Sequence, residues 1–169
     1  HHGGHYPGYS VGAFGVLGDY CWFTKDTDFA IDEPARRVFK HTLMTLLDYC
    51  NLRDWGVGVC GRHPFNGSIP EKDVEAFARL ALLGDLTGSG QSADPELGGA
   101  FLLLAGKDKN LQTAMKQAGI KPLTPKEGFR VYNYGGFGIH RRGDWMITLK
   151  GYNSDVWSTE IYAADNRFG

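Results

Sequence analysis

The sequence is short of cysteine. It has three in 169 residues (Cys21, Cys50 and Cys60), an odd number with no CxxC spacing. That excludes a disulfide framework and a zinc ribbon, so the three read as buried thiols. An excess of one charge is missing as well: 18 Lys and Arg against 19 Asp and Glu leave a formal net charge of -1. A nucleic-acid protein would show a strong basic excess, whereas an acidic ligand needs only a few cations that converge locally. No apolar run approaches a membrane span, no signal peptide opens the chain, and no repeat occurs at a solenoid period. Neither nucleic acid nor a membrane is therefore an expected partner. An initiator Met is also lacking and the chain stops at "DNRFG", so it reads as a piece of something longer.

What is present reads as a folded, soluble chain, 42% hydrophobic and 22% charged. Its first two-thirds are helical. Residues 10–24 place Val11, Phe14, Leu17 and Cys21 on one apolar face, and the small residues Gly12, Ala13, Gly15 and Gly18 allow close packing at some cost in propensity. Residues 33–50 form the clearest helix, with Asp32 as cap, Pro34 in the first turn, and Val38, Phe39, Leu43, Leu46, Leu47 and Cys50 inward. Ser68 and Glu71 make a capping-box pattern ahead of a third apolar run. Asp94-Pro95 starts a fourth helix through Leu104, and Asn110 a fifth that ends at Gly119.

The pattern changes after "KPLTPKEG", residues 121–128. "FRVYNY", "GFGIHRR" and "WMITLKGY" are short β-branched and aromatic runs separated by Gly-Gly and Gly-Asp, with "HRRGDW" as a solvated hairpin turn. Helices followed by strands predict an α+β chain of two domains, 1–124 and 125–169. Some 45 residues of strand cannot close a sheet alone, so the β part reads as truncated.

Chemistry-bearing residues gather in three places. "HHGGHYPGYS" holds three histidines and two tyrosines around Pro7-Gly8, which suit the centre of a type II turn. A purification tag has no reason to carry that turn. A zinc reading of His1, His2 and His5 lacks a helix to fix the geometry, and no HExxH is present. A His–Tyr pair is the alternative. A neutral imidazole is a natural base and a Tyr hydroxyl an acid, or a base near cations. With an Arg and a carboxylate behind it, such a pair suits proton abstraction next to a carboxylate group, then loss of an alkoxide. "CGRHPFNGS", residues 60–68, is the second place, an Arg-His pair on a loop that reads as functional or as a surface Arg beside a packed His. Its Asn66-Gly67-Ser68 is also a glycosylation sequon. "YNSDVWSTEIYAADNRFG" is the third, where Glu160 is either an outward strand residue or a carboxylate that orients a cation.

"HHGGHYPGYS", "GRHPFN", "GGFGIHR", "TLKGYNSDVWSTEIY" and "DNRFG", in this order, resemble the chondroitin sulfate ABC lyases of polysaccharide lyase family eight. The resemblance runs from the first residue to the last and is weaker between 70 and 120. It implies the end of an α/α-toroid catalytic domain followed by the start of an antiparallel β-sandwich. It also implies a catalytic tetrad of His2, Tyr9, Arg62 and Glu160. The expected reaction is β-elimination at the bond to a uronate C4, leaving an unsaturated uronate. The intermediate is an enolate dianion, so electrostatic stabilisation should dominate.

By the same resemblance Tyr9 would be the general acid, and also the base when the C5 proton lies on its side. His2 would be the base from the opposite face, for iduronate. Arg62 would depress the Tyr9 pKa and hold the bridging oxygen, and Glu160 would orient Arg62 and Tyr9. His63, Asn66, Tyr6 and Trp157 are the expected sugar contacts, with Tyr134 a further aromatic candidate; core packing is the competing reading for the aromatics. The pattern departs from the family at Gly3 and at His5, where relatives carry Asn. No cofactor is required; the group that neutralises the uronate carboxylate is His63, a divalent cation (calcium or magnesium), or a residue upstream of residue 1. The expected partner is an acidic polysaccharide, a glycosaminoglycan, and the expected location is periplasmic or secreted. A lyase for another uronate polymer such as hyaluronan, and a non-catalytic carbohydrate-binding module, are the alternatives.

Overall fold

The computed structural model describes residues 7–55 and 67–156, with side chains from residue 12 onward. It is an α+β structure of two compact units. One comprises residues 1–10, 48–68 and 125–169, the other residues 11–47 and 69–124.

The second unit is helical. α1 spans Pro7–Thr24 and α2 Glu33–Tyr49, each crossing from one unit into the other; α3 (Glu71–Ala81), α4 (Pro95–Leu103) and α5 (Lys109–Gln117) lie wholly within it. Its core gathers Phe39, Leu43 and Leu46 of α2, Val74, Phe77 and Leu80 of α3, Leu97 and Phe101 of α4, and Met115 of α5. Three starts follow from side chains that satisfy the orphan N–H groups of the first turn. Asp32 accepts from Ala35 N at 2.9 Å, Asp94 from Glu96 N and Leu97 N, and Asp108 from Asn110 N and Leu111 N. The α5 cap is thus Asp108 rather than Asn110. Its end is a Schellman motif: Gly119 has φ +69°, its N–H donates to Lys116 O, and Ile120 N donates to Met115 O.

Four local readings are corrected. Pro7 and Gly8 belong to α1 instead of a type II turn; Pro is well suited to a first helical turn, where its missing N–H has no partner to lose. On α1 the packed face is Phe14, Gly15, Gly18 and Cys21, while Leu17 is exposed. Glycine sets that face, because a Cβ on Gly18 would stand 2.7 Å from the Cβ of Ala76 on α3. Val38 is exposed, one position off the stripe of Phe39, Leu43, Leu46 and Leu47, and Cys50 is buried in a strand, past the helix end. The Ser68–Glu71 capping box does not form. Pro70 is the α3 N-cap, Ser68 bridges to Asp54, and Glu71 Oε1 accepts from Lys107 N at 2.6 Å.

In the first unit, β1 (Cys50–Asn51) pairs with β2 (Asp54–Trp55) directly after α2. β3 (Gly128–Tyr132), β4 (Phe137–Arg142) and β5 (Trp145–Lys150) form a three-stranded antiparallel sheet in that order. Arg142 pairs with Trp145 across the two-residue turn Gly143-Asp144, where Gly143 takes φ +55°. The turn is exposed as expected, but Arg141 is 5% exposed and points inward. Among the described residues no helix is long and apolar enough to cross a membrane, and Cys21 and Cys50 are free and buried.

Candidate active site

The described residues include the elements that flank the candidate positions in sequence. Asp48 and Tyr49, the last residues of α2, anchor the inner face of the sheet. Tyr49 meets Tyr132 and Phe137 edge-on, with ring centroids 5.1 and 5.0 Å apart. The Tyr132 hydroxyl donates to Asp48 Oδ2 at 2.8 Å. Arg130 Nε lies 3.3 Å from the same oxygen, near enough for an ion pair but misaligned for a hydrogen bond. Arg141 spreads its fork over β1, donating to Asn51 Oδ1 at 2.9 Å and to the Cys50 carbonyl at 2.6 Å.

This junction holds its protons tightly. Burial, then the Asp48 charge, pushes the Tyr49 hydroxyl up to about 12. Burial, then the hydrogen bond to Asp48, raises Tyr132 further. Burial also raises the Cys50 thiol, so it is no nucleophile at neutral pH. These groups are structural; none is poised to trade a proton near pH 7.

One pairing closes the ends of the segment 56–66. The Trp55 N–H donates to the Gly67 carbonyl at 2.9 Å, and Asp54 bridges to Ser68. Gly67 fits closely there: a Cβ would stand 3.0 Å from Trp55 Cδ1 and Nε1, so the indole would have to shift. After β5, Gly151 N donates to Gly136 O at 2.6 Å, and Asn153 Oδ1 accepts from the N–H groups of Asp155 and Val156. That turn delivers the chain to residue 157.

Tyr9 stands near the start of α1; its side chain lies outside the described residues. His2, Tyr6, Arg62, His63, Asn66, Trp157 and Glu160 lie outside them too, as do His1 and His5 of the zinc reading. Tyr134 is described and almost fully exposed, which removes it from the core. Among the described residues no group of three or more His, Cys, Asp or Glu side chains could hold a metal ion.

The sequence reading passed over Asp73. It is 1% exposed on α3, and its Oδ1 accepts the Gly15 N–H of α1 at 2.6 Å. The signal was present: Asp73, Phe77 and Leu80 follow i, i+4, i+7, a carboxylate in an otherwise apolar stripe.

Residues 1–111 match the family model described as "Lyase, catalytic". The chain is 36% identical over 168 residues to the chondroitin sulfate ABC endolyase of Proteus vulgaris, covering 99% of this chain and 16% of that protein. It is 26% identical over 189 aligned residues to the chondroitin sulfate ABC exolyase of Bacteroides thetaiotaomicron, covering 100% of this chain and 18% of that protein. The chain thus spans under a fifth of the length of these relatives. On the match over its first 111 residues, the chain belongs to the lyase catalytic-domain family.

Proposed function

We propose that this chain supplies the acid–base machinery of a glycosaminoglycan lyase, acting on chondroitin and dermatan sulfates. The observation that carries the reading is the end-to-end match, 99% of the chain at 36% identity, to a chondroitin sulfate ABC endolyase. In this reading residues 1–124 close an α/α toroid, residues 125–169 begin a β-sandwich, and the protein works in the periplasm or outside the cell.

The proposed reaction breaks the C4–O bond of the uronate. A base takes the C5 proton, the electron pair left behind becomes the C4=C5 double bond, and the departing oxygen takes a proton from Tyr9. Tyr9 serves as both acid and base when the C5 proton is on its side; His2 is the base when it lies opposite, as in iduronate. Arg62 lowers the Tyr9 pKa and holds the bridging oxygen, and Glu160 orients Arg62. Groups placed in this way typically contribute about 10²–10⁴-fold each. His63, Asn66, Tyr6 and Trp157 line the sugar subsites. Neutralising the uronate carboxylate falls to His63 or to a divalent cation, calcium or magnesium. Among the described residues no group of three or more His, Cys, Asp or Glu side chains is placed to hold that cation.

The test is the ultraviolet absorbance of unsaturated uronate released from chondroitin sulfate by the full-length protein and its Tyr9→Phe variant. Product from the parent and loss of at least about 10²-fold in the variant are expected. Tight binding of the polymer without product would make the protein a carbohydrate-binding module. Activity confined to hyaluronan would move the substrate class.

A further inference from the structure

We propose that Asp73 is a positioning residue for the general acid: its carboxylate fixes α1, the helix that carries Tyr9, in register against α3. The inference rests on the reading of Tyr9 given above. Tyr9 stands on α1 six residues before Gly15, about 9 Å of helical rise.

A residue wanted only for packing at this place would be apolar, since burying a carboxylate is costly. Asp73 is 1% exposed, yet its Oδ1 reaches the backbone N–H of Gly15, inside an 18-residue helix. Only glycine permits that approach: a Cβ at position 15 would stand 2.8 Å from Asp73 Oδ1 and 2.6 Å from Lys72 Cγ. On the same face Phe14 meets Phe39 of α2, with ring centroids 6.4 Å apart, so that contact is made to α2 and not to α3. Gly18 lies flat against Ala76, and neither offers a knob that would resist sliding along the helix axis. Asp19, on the following turn of α1, is paired with Lys72 and Arg79, both long flexible side chains. A directional bond from a short buried side chain does what the small residues and the flexible ion pairs cannot. Asp73 Oδ2 is buried and has no hydrogen-bond partner among the described residues. A stability-driven site would not hold such a group, whereas a site kept for geometry can.

The experiment compares Asp73→Ala, Asp73→Asn, Gly15→Ala and Tyr9→Phe in the full-length enzyme by steady-state kinetics across pH. Amide hydrogen exchange of residues 12–18 is followed in parallel. Displacing a reacting group by about 1 Å can cost 10²-fold. Asp73→Ala should therefore lower kcat about 10- to 100-fold with KM within about twofold. It should also shift the pH–rate limb that reports Tyr9 and speed exchange in 12–18. Asp73→Asn keeps an acceptor oxygen and should restore most of kcat and of the protection. Gly15→Ala keeps Asp73 but blocks the bond, and should lose kcat like Asp73→Ala even if the latter fails to fold. Wild-type kcat in Gly15→Ala, unchanged exchange in Asp73→Ala, or an Asn variant no better than Ala would each overturn the inference. If Tyr9→Phe retains full turnover, the reading of Tyr9 itself is wrong; if only the Asp73 and Gly15 variants behave as wild type, this inference alone fails.

Discussion

Asp94→Ala should be among the most damaging single changes in the helical unit. Asp94 is fully buried and serves four donors at once. Oδ1 caps α4 by accepting from Glu96 N at 3.1 Å and Leu97 N at 3.0 Å. Oδ2 accepts from Leu86 N at 3.0 Å and from Lys40 Nζ at 2.7 Å. Loss of an N-cap costs about 1 kcal/mol, and a buried N–H left without its acceptor costs about 1–3 kcal/mol more. Lys40 is not stranded, because Glu96 Oε2 also lies 2.7 Å from its Nζ, so the large penalty for an unpaired buried charge does not apply in full. The expected loss is about 3 kcal/mol. Asp94→Asn, which keeps one carbonyl oxygen for either the cap or Leu86, should lose about half of that.

Denaturant titration followed by circular dichroism measures it, as a shift in midpoint at constant slope. A loss below about 1 kcal/mol, or an Asn variant as unstable as Ala, would refute the reasoning. The pH dependence gives a second check. Burial alone would lower the Lys40 pKa, but its hydrogen bonds to Asp94 and Glu96 carry it above 10.5. A raised lysine contributes stability below its unfolded value and loses it as pH rises through the folded one. The gap between parent and Asp94→Ala should therefore narrow above pH 10.5.

Burial pushes the Asp73 carboxyl up to about 6 from 3.8, against the pull of the Gly15 N–H and the Lys72 charge. The folded state then holds the proton more tightly, so this group's contribution to stability is complete below 3.8 and lost as pH rises through about 6. Asp73→Asn should remove that slope, so that its midpoint stays level between pH 4 and 7 while the parent's falls; a parent-like slope in the variant would contradict it. The two α1 glycines should respond with opposite sign in thermal melts. Gly12→Ala meets nothing within 4 Å and should gain about 0.5–1 kcal/mol of helix propensity. Gly18→Ala drives a Cβ to 2.7 Å from Ala76 and should lose about 1 kcal/mol net. His2→Ala should cut turnover on dermatan sulfate at least about tenfold more than on chondroitin sulfate, since only iduronate needs a base on the opposite face; equal losses would assign His2 to positioning or carboxylate neutralisation.

Much of the fold was legible because local rules carried it. The Asp32 and Asp94 caps, Gly119 as helix terminator and the strand–Gly-Asp–strand hairpin are all set within a few residues of sequence. What escaped depended on partners far along the chain. Leu17 and Val38 fit helical periodicity by themselves, but Ala76 facing Gly18 turned the packed face of α1 away from Leu17. The Ser68 capping box met every local criterion and lost to a bridge with Asp54 and to Pro70, whose φ of -61° and ψ of 151° suit the N-cap. Arg141 looked like part of a solvated turn until Asn51 and the Cys50 carbonyl, some 90 residues earlier, gave its guanidinium a buried place. The candidate site was read by a different route. His2, Tyr9, Arg62 and Glu160 are too far apart in sequence for periodicity or spacing to join them, and motif order alone brought them together.

Elimination at the uronate is tested most directly by following the fate of water. The full-length protein is incubated with chondroitin sulfate in water enriched in oxygen-18, and the product ends are read by mass spectrometry. Elimination adds no water: the new non-reducing end should be an unsaturated uronate, lighter by one water than the hydrolysis product and free of label, and Tyr9→Phe should abolish it. A saturated product carrying the heavy oxygen would make the enzyme a hydrolase and contradict the account.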